Sequence, residues 1–112
     1  MCGISGIMYA HANQQISSIS KSMNQQLAHR GPDASGHWVE TNNKVALAHS
    51  RLSILGLGVD GNQPMSSRCG RFVVVFNGEI YNFQDIKKKL QLEGLNSGSD
   101  TEVLIEAISK IG

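Results

Sequence analysis

The sequence predicts one α+β domain, on three observations. Two β-favouring runs, His37-Trp38-Val39-Glu40 and Lys44-Val45-Ala46-Leu47-Ala48-His49, flank the polar Thr41-Asn42-Asn43 in the manner of a hairpin. Phe72-Val73-Val74-Val75-Phe76 is an unbroken β-favouring run, the pattern of a strand buried on both faces. Residues 15–28, 83–92 and 99–111 instead carry apolar side chains at three- and four-residue steps, as amphipathic helices do. A chain of 112 residues, 40% hydrophobic and 17% charged, is one soluble globular unit with a single core.

Composition also narrows the partners. With Lys+Arg 10 against Asp+Glu 9 and a formal net charge of +1, no basic stripe invites nucleic acid and no acidic tail is present. No apolar run is long enough to span a bilayer, and the start lacks the basic and apolar regions of a secretory signal. The expectation is a cytoplasmic protein without membrane contact. Two cysteines, Cys2 and Cys69, make neither a supported disulfide nor a zinc site without flanking histidines, so no metal is expected. Cys69 reads as a plain small residue in a loop.

Taken in order, residues 3–9 read as a short apolar strand whose glycines admit close approach of other backbone or a ligand, with Cys2 at its lip. If Met1 is trimmed, Cys2 carries a thiol and a free α-amine, groups that titrate within about one unit of each other near neutral pH. The amine could then relay the proton that activates the sulfur. Cys2 taken alone favours the plainer reading, a small buried hydrophobe.

The helix over residues 15–28 turns Ile16, Ile19, Met23 and Leu27 inward beneath a serine-rich outer face. His29-Arg30-Gly31-Pro32-Asp33-Ala34-Ser35-Gly36 cannot continue it. That segment is either a connecting turn or a loop packed around a polar site. Alternation after the hairpin sets Arg51 among apolar neighbours, where an unpaired charge costs several kcal/mol. Arg51 is thus either in a structural ion pair or a bidentate grip on a substrate carboxylate.

Residues 56–71, glycine-rich and containing Gly61-Asn62-Gln63-Pro64-Met65, read as a long surface loop, a frequent source of site walls. Asn77-Gly78 following the β run is an ordinary hairpin signal, and it is also an amide and a main-chain N–H able to aim at one oxygen. Asn82 is set to cap a helix with Phe83, Ile86 and Leu90 on one side and Lys87, Lys88 and Lys89 in solvent. Ser99 and Glu102 have capping-box spacing for a helix through Ile111, with Val103, Leu104, Ala107, Ile108 and Ile111 inward. Asp100 lies in its first turn, where the helix dipole alone accounts for a carboxylate.

Met1-Cys2-Gly3-Ile4, His29-Arg30-Gly31-Pro32-Asp33, Arg51-Leu52-Ser53-Ile54, Gly61-Asn62-Gln63-Pro64, Asn77-Gly78-Glu79-Ile80-Tyr81-Asn82 and Ser99-Asp100-Thr101-Glu102 stand in the order found in class II glutamine amidotransferases. Within that class the chain most resembles the glutaminase domain of the glutamine-hydrolysing asparagine synthetases. The resemblance implies the αββα sandwich of N-terminal nucleophile hydrolases, two antiparallel sheets face to face between helical layers, here as an incomplete N-terminal part. It implies that Cys2 attacks the side-chain carboxamide of L-glutamine to release ammonia and leave a γ-glutamyl thioester. Asn77 and the Gly78 N–H would stabilise the oxyanion, at about 2.7–4 kcal/mol per donor. Arg51 would hold the α-carboxylate, Asp100 and Glu79 the α-ammonium, and the backbone of Leu52, Ser53, Ile54 and Leu55 would line the pocket.

The chain is about half as long as the glutaminase domain that the resemblance implies, and it lacks the synthetase domain in which ATP and Mg would be expected. No cofactor is expected within these residues. Missing strands would leave apolar surface uncovered, inviting self-association. With Met1 attached the α-amine is tied up in a peptide bond, so the alternative is a glutamine-binding or structural fragment without turnover.

Overall fold

The computed structural model describes residues 2–52 and 61–112, and in these the fold is α+β. Three strands come first: β1 (Gly3–Met8), then after helix α1 (Ile16–Gln25) the pair β2 (Ala34–Val39) and β3 (Val45–Arg51). They form one antiparallel sheet in the order β1-β3-β2. β4 (Met65–Ser66) and β5 (Val73–Val74) make a second, two-stranded antiparallel sheet, followed by α2 (Phe83–Lys89) and α3 (Asp100–Ile111). No helix among the described residues is long and apolar enough to cross a membrane.

The hairpin forms where the sequence puts it, with Asn43 at φ 56 and its N–H on the Glu40 carbonyl at 2.9 Å. β2, however, starts at Ala34, inside the segment that turn chemistry assigned to a loop. Pairing explains the difference: Ala34, Ser35 and Gly36 stand opposite Arg51, Ser50 and His49, so the completed ladder carries the strand back almost to Pro32.

One face of the larger sheet is covered by α1. Gly3 and Ser35 both stand opposite Ser50, and residues two apart on each strand share a face. Asn24 of α1 reaches that face, donating from Nδ2 to Ser35 Oγ at 2.8 Å and accepting from Ser50 Oγ at 3.0 Å. A Cβ on Gly3 would sit 2.9 Å from Leu27 Cβ, so helix and strand approach too closely for a side chain there. The helix face differs from the expected one. Ile16 is buried, but so are Ser20 and Asn24, whereas Ile19, Met23 and Leu27 are half-buried. A helix meeting serine-bearing strands satisfies their hydroxyls with its own polar groups.

A second apolar centre joins Leu92, Val103 and Ala107 with Phe83, Ile86, Leu90 and Leu95, packing α2 on α3. Ser99 caps α3 as expected, accepting from the Glu102 N–H at 3.2 Å. The buried set on α3 is Thr101, Glu102, Val103, Ile105 and Ala107, while Ile108 and Ile111 are exposed, against expectation. Phe72-Val73-Val74-Val75-Phe76 also departs from expectation. Among the described residues only Val73–Val74 pair, with the two residues of β4, and all five residues are half-buried. Asn77-Gly78 makes no hairpin but leads into α2. Asn82 precedes α2 without a side-chain cap bond, and the helix stops at Lys89.

Glu102 ties this half together. Its carboxylate accepts from Asn96 N–H at 2.7 Å, Ser97 N–H at 2.6 Å and Ser97 Oγ at 2.5 Å. Burial alone would push the carboxyl up, but the Ser97 hydroxyl, the two N–H groups and the charge of Arg68 together hold it below the ordinary 4.5. A lowered acid stabilises the fold in full above its unfolded pKa, and that stability drains as pH falls through the folded value. Glu102→Gln should therefore lower stability at pH 7 by about 2 kcal/mol and flatten the acid limb of melting temperature against pH below about 4.5. A variant curve parallel to wild type would contradict this.

Candidate functional site around Cys2

The open end of β1 puts Cys2 beside the end of β3. Continuing the register that pairs Gly3 with Ser50 sets Cys2 opposite Arg51. The thiol is half-buried and not in a disulfide. Its sulfur accepts from the Leu52 N–H at 3.5 Å, with the Leu52 carbonyl at 4.0 Å. Two side chains hold the Cys2 main chain: Asn77 Nδ2 donates to its carbonyl at 3.0 Å, and Arg30 Nε donates to the same oxygen at 3.4 Å. Residues 50 and 75 positions away in sequence thus converge on Cys2.

The motif at residues 29–33 is therefore more than a connection. Arg30 reaches Cys2, the Asp33 N–H donates to the Arg51 carbonyl at 3.0 Å, and Pro32 bridges Arg51 in parallel. Gly31 is required here, because a Cβ would overlap the Ser50 carbonyl. Sequence reasoning passed over Arg30 as an individual residue. Its place beside glycine and proline was the available signal.

Arg51 is buried, but its surroundings are polar rather than apolar. Nη1 donates to Asn62 Oδ1 at 3.0 Å, and a Cβ on Gly61 would lie 3.2 Å from Nη2. His49, two residues back on the same face, is buried beside it. Burial first, and the Arg51 charge second, hold the His49 imidazole below its usual 6.5.

Asp100 is half-buried at the start of α3, and its Oδ2 accepts from the Ile80 N–H at 2.8 Å. The carboxylate thereby fixes the segment that carries Asn77, Gly78 and Glu79, all three exposed. A Cβ on Gly78 would lie 2.9 Å from the Phe76 ring, so this glycine accommodates an aromatic neighbour as well as a free approach. Gln63, which sequence reasoning did not single out, joins the halves: buried, it accepts the Phe76 N–H at 2.5 Å and meets Thr101 Oγ1 at 3.5 Å.

The structure thus gathers Cys2, Leu52 and Asn77 by direct contact and sets Arg51 next to them. Asp100 is connected through residues 77–80, and Glu79 makes no hydrogen bond among the described residues. Ser53, Ile54, Leu55 and Met1 lie outside the described residues. Two cavities of about 310 and 260 Å³ flank Arg68 against α3, and a small one adjoins Arg51. None of the three is bounded by Cys2, Asn77 or Asp100.

Cys69 is not the plain loop residue expected. It is exposed, with Ser109 Oγ at 3.0 Å and Ser67 Oγ at 3.3 Å. Hydrogen bonds from Ser109, then Ser67 and the Arg71 backbone, bring its thiol down to about 7. Iodoacetamide should accordingly modify Cys69 with a rate that rises through pH about 7, and Ser109→Ala should move that midpoint upward. A midpoint near 8.5, the ordinary thiol value, in the unsubstituted chain would contradict the geometry.

This chain belongs to the glutamine amidotransferase domain family, whose model matches residues 1–112. Its relatives include a putative glutamine-hydrolysing asparagine synthetase 2 from Methanocaldococcus jannaschii, 35% identical over 100% of this chain and 24% of the relative. Glutamine-hydrolysing asparagine synthetase 1 of Bacillus subtilis is 37% identical over 94% of this chain and 17% of its own length. Amidase chry2 of Gibberella zeae is 36% identical over 100% of this chain and 18% of its own. The chain therefore spans at most about a quarter of the length of these relatives.

Proposed function

We propose that this domain hydrolyses the side-chain amide of L-glutamine through a thioester on Cys2 and passes the ammonia to ATP- and Mg-dependent asparagine formation in a synthetase domain. The observation that carries the reading is the convergence on Cys2: an N–H from Leu52 at its sulfur and the Asn77 amide on its carbonyl. The family membership and the asparagine synthetases among the relatives support glutamine as substrate. Two small antiparallel sheets with helices support an αββα N-terminal nucleophile hydrolase architecture, of which we infer this chain to be the N-terminal part.

In this reading Met1 is removed, and the α-amine of Cys2 takes the thiol proton as sulfur attacks the amide carbon. The C–S bond forms, the carbonyl π-pair moves to oxygen, and the oxyanion meets Asn77 and the Gly78 N–H. An amide NH₂ has two donors, and Asn77 uses one on Cys2, leaving the other for the oxyanion. The protonated amine returns its proton to the leaving nitrogen, the C–N bond breaks and ammonia departs. Water then opens the thioester to glutamate and restores the thiol.

Specificity follows from charge. Arg51 takes the α-carboxylate with Leu52, Ser53, Ile54 and Leu55 lining the pocket, and Asp100 with Glu79 takes the α-ammonium. An amide lacking either charge leaves a desolvated partner unpaired, which disfavours it.

The test is ammonia release from glutamine by the Met1-trimmed and Met1-retaining forms, alongside labelling by a glutamine-like diazo-ketone in a Cys69→Ser background. Release by the trimmed form, silence of the retained form and loss of label in Cys2→Ala are expected. Glutamine affinity without release or labelling in the trimmed form would leave a binding module instead.

A further inference from the structure

His49 carries a group that nothing above uses. It is 3% exposed, and its Nε2 has no hydrogen-bond partner among the described residues. A buried polar atom left in that condition costs about 1–3 kcal/mol, so its surroundings are informative. With its imidazole held below 6.5 by burial and by Arg51, the ring is neutral at physiological pH and offers one acceptor nitrogen.

His49 borders a cavity shared with Arg51, Asn62, Gln63, Ser35 and Gly36. The space available to the centre of a water molecule is about 10 Å³, which suits one water and nothing larger. Among the residues that line it, His49 and Arg51 carry an acceptor and a donor, and two partners are the least that a buried water needs. Side chains two residues apart project from one face of a strand, so His49 and Arg51 reach this space together. A guanidinium has five N–H donors, and Asn62 Oδ1 takes one of them at 3.0 Å.

We propose that His49 is a positioning residue for Arg51: one ordered water in this cavity accepts a hydrogen bond from the guanidinium and donates one to His49 Nε2. Asn62 and the water-linked imidazole are then two of the groups that orient the fork. The functional consequence rests on the reading above in which Arg51 grips the glutamine carboxylate, but the positioning itself does not. Because the water donates, Nε2 must be unprotonated and the proton must reside on Nδ1.

The 112-residue chain, ¹⁵N-labelled, tests this by NMR, with glutamine titrated calorimetrically. The wild-type His49 Nε2 resonance should fall in the unprotonated, pyridine-like range, a readout that needs no variant to fold. In His49→Leu the Arg51 Nε–H should exchange with solvent about ten-fold faster, and glutamine Kd should rise by a similar factor, as loss of one net hydrogen bond requires. His49→Gln, which retains an acceptor at similar reach, should keep both near wild type.

A protonated Nε2, unchanged exchange in His49→Leu, or equal effects of leucine and glutamine would overturn the proposal. A flat glutamine titration in wild type beside released Arg51 in His49→Leu would uphold the positioning and reject the carboxylate grip.

Discussion

Gly36→Ala will cost the fold about 3 kcal/mol or more, at the upper end of what overpacking does. A Cβ there overlaps the Gln63 carbonyl oxygen, with the Gly36 backbone pinned in the middle of β2 opposite His49 and Gln63 held by Thr101 and the Phe76 N–H. Neither side can yield without parting the larger sheet from residues 61–64. For a domain of this size the melting temperature should drop by about 12 °C or more. Gly98→Ala is the matched control, since a Cβ there meets nothing within 4 Å. Because Gln63 is next to Asn62, the partner of Arg51, the same substitution should weaken glutamine binding well below the melting transition. Equal melting temperatures for Gly36→Ala and Gly98→Ala would show that the contact is not as close as described.

Asn77→Ala will lower turnover by about 10²–10³ while altering KM by no more than a few-fold, the signature of a donor that acts on developing charge. Its exposed position means that the global fold should lose only the net value of one hydrogen bond, about 1 kcal/mol. Asn77→Asp keeps the shape and removes both donors, and should be at least as slow. A drop in turnover matched by an equal rise in KM would instead assign Asn77 to holding Cys2 through the 3.0 Å bond to its carbonyl.

Local pattern made much of this fold readable. Alternation with a polar turn gave the hairpin, apolar steps of three and four gave the helices, and Ser99 ahead of an acidic first turn gave the start of α3. What local pattern could not supply was partnership. Ala34, Ser35 and Gly36 look like turn residues and are strand because β3 pairs with them. Phe72-Val73-Val74-Val75-Phe76 looks like a buried strand, yet among the described residues it pairs only at Val73–Val74, with the two-residue β4.

The site divides in the same way. Motif order singled out Cys2, Arg51, Asn77 and Asp100 as candidates, whereas Asn62 and Gln63, within a matched block, gave no hint of bonding Arg51 and Thr101. His49 was also missed as an individual residue, although alternation along residues 45–51 sets it on the face of Arg51. Burial without a partner has no signature in a single sequence. It emerges only once the segment at 61–64 packs on the sheet.

The central claim is that sulfur at Cys2 becomes covalently attached to the γ-acyl group of glutamine. Acid-quenched mass spectrometry of the Met1-trimmed, Cys69→Ser chain mixed with glutamine tests it most directly. One γ-glutamyl adduct should be found on the peptide that begins at Cys2, and it should vanish in Cys2→Ala. Ammonia release that continues in Cys2→Ala, or an adduct carried by any other residue, would contradict the account.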